Sequence, residues 1–519
     1  MRPIRLLSGF FTVGVWTMVS RLLGFVRDIM IAALMGSGPA AQAFLVAFAL
    51  PNMFRRFFAE GAFNTAFVPL FSKKLEADED AERFAQDAFA GLASLLIIFT
   101  FFATLAMPWL VLAMASGFAN DARFDLAVDY GRICFAYILF ISLAALMSGV
   151  LNAAGRFAAA AAAPVLLNLI LVGALFGAQA TYGEMEIPEP IYGRVLSIAV
   201  PIAGIAQLAL VWIAAARAGF SLRPRLPRMT PDLKRLAIIA LPAMLAGGVV
   251  QINLLVGRNV ASWFDGAIAW LSYADRLYQL PLGVVGIAIG VVLLPELSRR
   301  LRADDGLGGR FALSRAAEVA MALTIPAAAA LITIPVPLIS VLFERGEFTS
   351  DDTAATALAL SVYALGLPAF VLQKVYQPLY FAREDTRTPF RFALVAMVVN
   401  AVLAVGLGLL IGFLGAAIAT TVAAWVMVWQ LSRGRRQMGS VATFDNQFRS
   451  RLWRVCAASA LMAVVLWGSV LVIGPVLGVP GWRYAALAIL VALGLGSYFL
   501  FGRAFGAFKL SDFRGALRR

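Results

Sequence analysis

The chain has 519 residues, 61% of them hydrophobic and only 14% charged. A soluble domain is about half apolar and a quarter charged, so a soluble globular protein is excluded and a polytopic membrane protein is expected. The net charge is +14, histidine is absent, and the two cysteines, Cys134 and Cys456, lie in apolar runs; this argues against a disulfide framework, a metal site and a histidine proton switch.

A spanning helix needs about 20 mostly apolar residues. Fourteen such runs follow one another, at 9–36, 42–71, 88–115, 128–154, 158–179, 191–216, 235–262, 267–298, 313–343, 354–382, 388–411, 413–432, 453–475 and 482–502. The first is too long and too interrupted for a signal peptide and reads as a span. With the N-terminus inside, the inward loops and termini hold about 30 of the 43 Lys and Arg. The outward loops hold Arg123, Arg132, Arg194, Arg345 and Arg483. This asymmetry follows the positive-inside rule, gives an even number of spans with both ends cytoplasmic, and accounts for the basic charge without nucleic acid.

The first span contains "SRLLGFVRD", Ser20 to Asp28. Further along, the spans carry Arg55, Arg56, Glu60, Arg258, Asp275, Arg276 and Lys374. Each charge at a helix centre costs about 3 kcal/mol on insertion scales, so such groups face a bundle interior or a watery cavity. Arg258 sits near a span end and snorkels. Arg56 and Glu60 are four apart and can pair; Arg21 and Asp28, two turns apart, share a face. Arg27, Arg55, Arg276 and Lys374 are left without an evident partner. An unpaired buried cation is costly, and an anion relieves that cost. Arginine's planar fork suits phosphate, so these residues point to a phosphate or diphosphate held at membrane depth.

"FVPLFSKKL" (Phe67–Leu75) ends the second span and "LLPELSRRL" (Leu293–Leu301) the eighth, 226 residues apart. Tyr137 and Tyr363 are also 226 apart, and Arg156 and Arg383 are 227 apart. These offsets indicate a duplicated six-span unit in parallel orientation, a transporter architecture with its site between the halves. The domains expected are 1–220 (spans 1–6), 221–440 (spans 7–12) and 441–519 (two added helices). "LMGSGPAAQ" and the prolines at 51, 281, 326 and 335 are consistent with mobile or kinked helices.

"SRLLGFVRD", "LPNMFRRFFAEGAFNTAFVPLF", "YADRLYQLPLGVVGIAIGVVLLPELS" and "FERGEFT" together resemble the MurJ (MviN) family of lipid II flippases, within the superfamily of multidrug and polysaccharide exporters. The resemblance runs over essentially the whole chain. It implies an all-α protein of fourteen transmembrane helices, two six-helix lobes in a V around a cationic cavity, and two C-terminal helices forming a groove for a lipid tail. It implies transport of lipid II, the undecaprenyl-diphosphate-linked peptidoglycan precursor, from the inner to the outer leaflet of the bacterial inner membrane. By motif the family's essential arginines match Arg21, Arg27, Arg55 and Arg276, and its cavity lysine matches Lys374; Ser20, Asp28, Arg56, Glu60 and Asp275 are supporting residues. Gln42 and Gln279 stand where acidic residues are expected, which makes the cavity less acidic. Relatives that bind sodium use aspartates in the second lobe; here only Asn253, Asn400 and Thr420 are polar candidates. No cofactor is expected, and the drive is either membrane potential or a monovalent cation. The partners implied are lipid II and membrane lipids, with cell-wall synthesis proteins as candidates. The alternatives are an exporter of another lipid-linked polysaccharide, a cation-coupled drug exporter, which needs buried carboxylates, and a metal-dependent enzyme on polyprenyl phosphates, which needs acidic or histidine catalytic groups.

Overall fold

The computed structural model describes the chain apart from residues 1–5, 57–61, 78, 183–187, 221–224, 304 and 508–519, and gives backbone course alone for 6–11, 62–65, 182, 241–250 and several positions within 252–302. Every regular element among the described residues is helical. The chain packs as two compact units.

Unit 1 comprises Met1–Ala269 with Gly346–Phe348. Its helices are α1 (Leu6–Met35), α2 (Pro39–Arg55), α3 (Ala62–Glu76), α4 (Ala81–Leu105), α5 (Met107–Met114), α6 (Ala122–Cys134), α7 (Tyr137–Ala153), α8 (Ala158–Tyr182), α9 (Glu189–Arg217) and α10 (Pro231–Ala261). Unit 2 comprises Trp270–Arg345 and Thr349–Arg519. It holds most of α11 (Ala267–Arg302), then α12 (Gly306–Thr333), α13 (Pro335–Phe343), α14 (Ser350–Phe381), α15 (Arg387–Ile411), α16 (Leu414–Gly434), α17 (Asn446–Leu477) and α18 (Trp482–Ala504).

Local chemistry sets the helix ends. Asp121, Thr230, Asp305 and Asp445 each accept a hydrogen bond from a first-turn amide of α6, α10, α12 and α17, which satisfies donors that a helix start leaves orphaned. Thr349 and Asp352 form a reciprocal capping box at α14. The expected third and ninth spans are each broken, at Ala106 ahead of Pro108 and at Ile334 ahead of Pro335. Pro335 disfavours helical backbone in Ile334 directly before it, and Pro108, two residues past the first break, has no N–H to give the Thr104 carbonyl and its ring crowds that carbonyl.

Among the described residues ten helices are long and apolar enough to cross a membrane: α4, α6 with α7, α8, α9, α12, α14, α15, α16, α17 and α18. Helices α1, α2 with α3, α10 and α11 occupy the other four positions where spans are expected. The protein is a multi-pass membrane protein. Its lipid-type exposure is plain on α17, where Val464, Trp467, Leu471 and Val472 are all exposed.

The boundary of unit 1 lies one helix beyond the repeat boundary read from the sequence, because α10 packs on unit 1. At one end Lys74 pairs with Asp232 at 3.0 Å, and Leu233 lies so close to Gly91 that a methyl there would meet it at 3.0 Å. At the other end Asn259 donates to the carbonyls of Leu112 and Ala113 and accepts from Ser116. The Gly117 amide donates to Ser262 Oγ at 2.9 Å, and a Cβ at Gly117 would stand 2.3 Å from the Ser262 carbonyl oxygen. In unit 2, α17 is tied to α12 by charge: Glu318 pairs with Arg315 and with Arg451 (2.6 Å), and Arg315 pairs with Asp445 (2.7 Å).

Candidate functional site

The opening motif lies on α1 against α8. Arg27 and Asp28 are both buried, each 6% exposed. Arg27 Nε and Nη2 donate to Asp28 Oδ1 at 2.9 and 2.7 Å, and Nη1 donates to Asn168 Oδ1 at 2.9 Å. The Phe48 ring of α2 lies 5.7 Å from the guanidinium. This corrects the expectation that Arg27 lacks a partner. Adjacent helical residues diverge at Cβ, but a four-bond side chain is long enough to curl back to its neighbour.

Asn168 is the residue that sequence reasoning missed. Its amide also donates to the Ser20 carbonyl at 2.9 Å and approaches Ser20 Oγ at 3.4 Å. The available signal was a lone amide in the middle of "PVLLNLILVG", since a polar group in hydrocarbon must find a partner.

Arg21 lies on the same helix, half-buried. Arg55 closes the last turn of α2, half-buried, beside Phe54, whose ring meets Phe99 and Phe135 at 5.1 and 5.8 Å. Arg56 is exposed, and Glu60, its expected partner, lies outside the described residues. Unit 1 thus brings together Ser20, Arg27 and Asp28 through Asn168.

In unit 2, Asp275 and Arg276 are half-buried on α11. Gln279, a position expected to be acidic, donates to Asp275. Tyr278, on the same face, meets Tyr363 and Phe370 of α14 at 5.2 and 5.6 Å. Lys374 is exposed, one turn beyond Phe370 on α14. Asn400 is buried and the Thr420 hydroxyl bonds the Ala416 carbonyl. Among the described residues no three His, Cys, Asp or Glu side chains group as a metal site.

Gln42 has a different setting from the expected cavity. It is buried, its amide donates to the Ser37 carbonyl at 3.0 Å, and its oxygen accepts from Arg123 Nη1 at 3.2 Å. Arg123 is itself buried, bonds Asp121 at 2.5 Å and Asp265 at 3.2 Å, and lies 4.6 Å from the Phe118 ring. With two carboxylates already on Arg123, a neutral group offering both a donor and an acceptor fits at position 42.

The family model for the lipid II flippase MurJ matches residues 31–491. A probable lipid II flippase MurJ of Rhizobium meliloti (strain 1021) is 44% identical over 99% of this chain and 96% of its own length. The lipid II flippase MurJ of Burkholderia cenocepacia is 33% identical over 89% of this chain and 90% of its own. A solved lipid II flippase MurJ in an inward closed conformation superposes with a TM-score of 0.78 at 25% identity, covering 95% of this chain and 98% of that one. An inward-facing multidrug transporter of the MATE family shares the fold, with a TM-score of 0.66 at 15% identity over 83% of this chain and 98% of its own.

Proposed function

Because the chain belongs to the MurJ family of lipid II flippases, we propose that it moves lipid II from the inner to the outer leaflet of the bacterial inner membrane by alternating access. It is a membrane transporter and not an enzyme. In this reading the diphosphate is taken by Arg21, Arg27, Arg55, Arg276 and Lys374, with Ser20, Asp28, Arg56, Glu60 and Asp275 supporting them. The sugar-peptide head travels through a hydrated path while the prenyl tail stays in lipid. Fourteen spans, two six-span repeats, two added helices and cytoplasmic termini complete the reading. The matched breaks at Ala106 and Ile334, at nearly the offset of the sequence repeat, support the duplication.

The observation that carries the proposal is the family match over 31–491, joined to a buried arginine whose fork is only partly consumed. Arg27 commits three of its five N–H groups to Asp28 and Asn168, and two remain for an anion. A ligand biases the cycle only through unequal affinity for the two states, so the driving force is assigned to membrane potential, at about 2.3 kcal/mol per charge per 100 mV, or to a monovalent cation.

The test is headgroup accessibility. Cells depleted of their native flippase receive this protein or its Arg27→Ala variant and are treated with an enzyme that cleaves only outer-leaflet lipid II. Cleavage that requires the protein and fails in the variant is expected. Cleavage independent of the protein would remove lipid II as its cargo and leave another lipid-linked saccharide.

A further inference from the structure

We propose that Asn168 is a positioning residue that aims the Arg27 guanidinium, so that the two uncommitted N–H groups are presented together to the phosphoryl oxygens of the ligand. This rests on the reading of Arg27 as a substrate ligand.

Asn168 lies about 15 Å along α8 from its first residue, at about 1.5 Å per residue. At that depth an amide needs both its donor and its acceptor satisfied. It finds both on α1: the acceptor side takes Arg27 Nη1, and the donor side gives to the Ser20 carbonyl. The amide therefore has one orientation. Turned over, it would set its NH2 against the arginine donor and its oxygen against a carbonyl.

Helical side chains lean toward the N-terminus, so Arg27 reaches back along α1 to the level of Gly24. Gly24 is buried and leaves the approach open: a Cβ there would lie 3.5 Å from the Asn168 amide nitrogen. A longer side chain at 24 would cover the Ser20 carbonyl and separate Asn168 from Arg27.

The guanidinium is thus held from two sides. Asp28 takes Nε and Nη2, and Asn168 takes Nη1. One contact alone would let the plane swing about the Asp28 oxygen, because both Asp28 bonds end on the same Oδ1. The second contact, on another helix, fixes the plane. Neutrality matters as well. An aspartate at 168 would set a second carboxylate on Arg27 and weaken its pull on a diphosphate, whereas asparagine orients the fork without adding charge.

The test measures lipid II affinity of the purified full chain in lipid nanodiscs for the native protein, Asn168→Ala, Arg27→Ala and the double variant, alongside each thermal midpoint. Asn168→Gln, which keeps donor and acceptor on a longer arm, is carried as the conservative variant and stands in if Asn168→Ala fails to fold. The expected result is about a tenfold loss for Asn168→Ala, the range of one lost bond to a charged group, partial recovery in Asn168→Gln, and no further loss when Asn168→Ala is added to Arg27→Ala. Equal fold-losses with and without Arg27 would show that Asn168 does not act through Arg27 and would overturn the inference. So would unchanged affinity in Asn168→Ala while Arg27→Ala binds poorly, an outcome that leaves the role of Arg27 standing. Unchanged affinity in Arg27→Ala would instead remove the reading on which the inference rests.

Discussion

Arg27 and Asp28 form a buried ion pair, and such a pair is weak evidence for stability because desolvation offsets much of the attraction. Breaking it from one side is different. Asp28→Ala strands a guanidinium and is expected to lower stability by about 3 kcal/mol, whereas the double change Arg27→Leu/Asp28→Leu is expected to lose less, since it strands no charge and leaves only the Asn168 oxygen unpaired, while abolishing outer-leaflet exposure of lipid II. Thermal unfolding beside the cleavage assay separates the two effects. Arg123 tells the complementary story. Burial pushes the Asp121 carboxyl up, but the Arg123 hydrogen bonds and charge, with the backbone amide of Ala122, outweigh that and hold it below the usual carboxylate range. A carboxyl depressed in the folded state contributes stability above its unfolded value and loses it as pH falls through the folded one. Acidifying the medium through the carboxylate range is therefore expected to loosen the Asp121–Arg123–Asp265 group, and Arg123→Gln is expected to lose that part of the pH dependence, read by hydrogen exchange of residues 115–125. The sequence marked Arg27 by its charge in an apolar run. It could not mark Asn168 as the partner, since periodicity assigns residues to faces of one helix and says nothing of which helix, 141 residues on, lies opposite. Arg123 was read as a loop charge for the same reason: hydropathy sees a short polar segment, and burial came from its packing under Phe118 and Gln42.

The helices were legible by length and composition; of their two interruptions, the one at Pro335 was marked by its proline and the one at Pro108 was not. A hydropathy run passes smoothly over "LAMPW" and "TIPVP", yet the backbone breaks at Ala106 and Ile334, because the constraints are local to the prolines: Pro335 restricts Ile334 before it, and Pro108 withholds a donor from the turn that holds Ala106. Close approach between elements depends on glycines whose need is likewise invisible in one dimension. Gly346, at φ +57, would place a Cβ 2.1 Å from the Ala33 carbonyl, and Gly36, at φ +54, one 2.4 Å from the Glu347 carbonyl, where the Glu347 amide donates to Ala33 O at 3.0 Å. This gives "FERGEFT" a structural role: its Gly346–Phe348 segment docks backbone to backbone on the end of α1. Gly346→Ala and Gly117→Ala are each expected to cost about 1–3 kcal/mol, measurable as a lowered thermal midpoint, while Gly173→Ala, with nothing within 4 Å, is expected to be neutral or slightly stabilising. On α17 the four-charge group with α12 predicts that Glu318→Leu, which leaves Arg315 and Arg451 facing each other, destabilises by about 3 kcal/mol and frees α17 and α18 to proteolysis; limited digestion would show the change.

For the whole molecule the multi-pass helical class follows from composition, and the placement of arginines and lysines gives an expected direction of insertion. Single cysteines at Arg217 and Asp265, exposed positions beside the α9–α10 and α10–α11 connections, are expected to react with an impermeant thiol reagent from opposite sides, Arg217→Cys from the cytoplasm and Asp265→Cys from outside; reaction of both from one side would break the topology. What the sequence did not disclose was how the chain is shared out in packing. The repeat expected from the sequence would put the seventh span at the head of a second half, whereas the structure seats α10 on unit 1 through Lys74–Asp232 at one end and Asn259, Ser262 and Gly117 at the other. That has a consequence for cutting the chain in two. Pieces divided at 221–224, where the sequence repeat suggests, would deprive the first piece of a helix it packs against and give the second an orphan. Pieces divided at Gly266, which turns at φ +76, would each carry nearly a whole packing unit, the first lacking only Ala267–Ala269 and Gly346–Phe348. Co-expressed fragments should therefore reassemble and sustain growth from the later cut far better than from the earlier one, because the seam of the folded protein lies at the end of α10 rather than at its start.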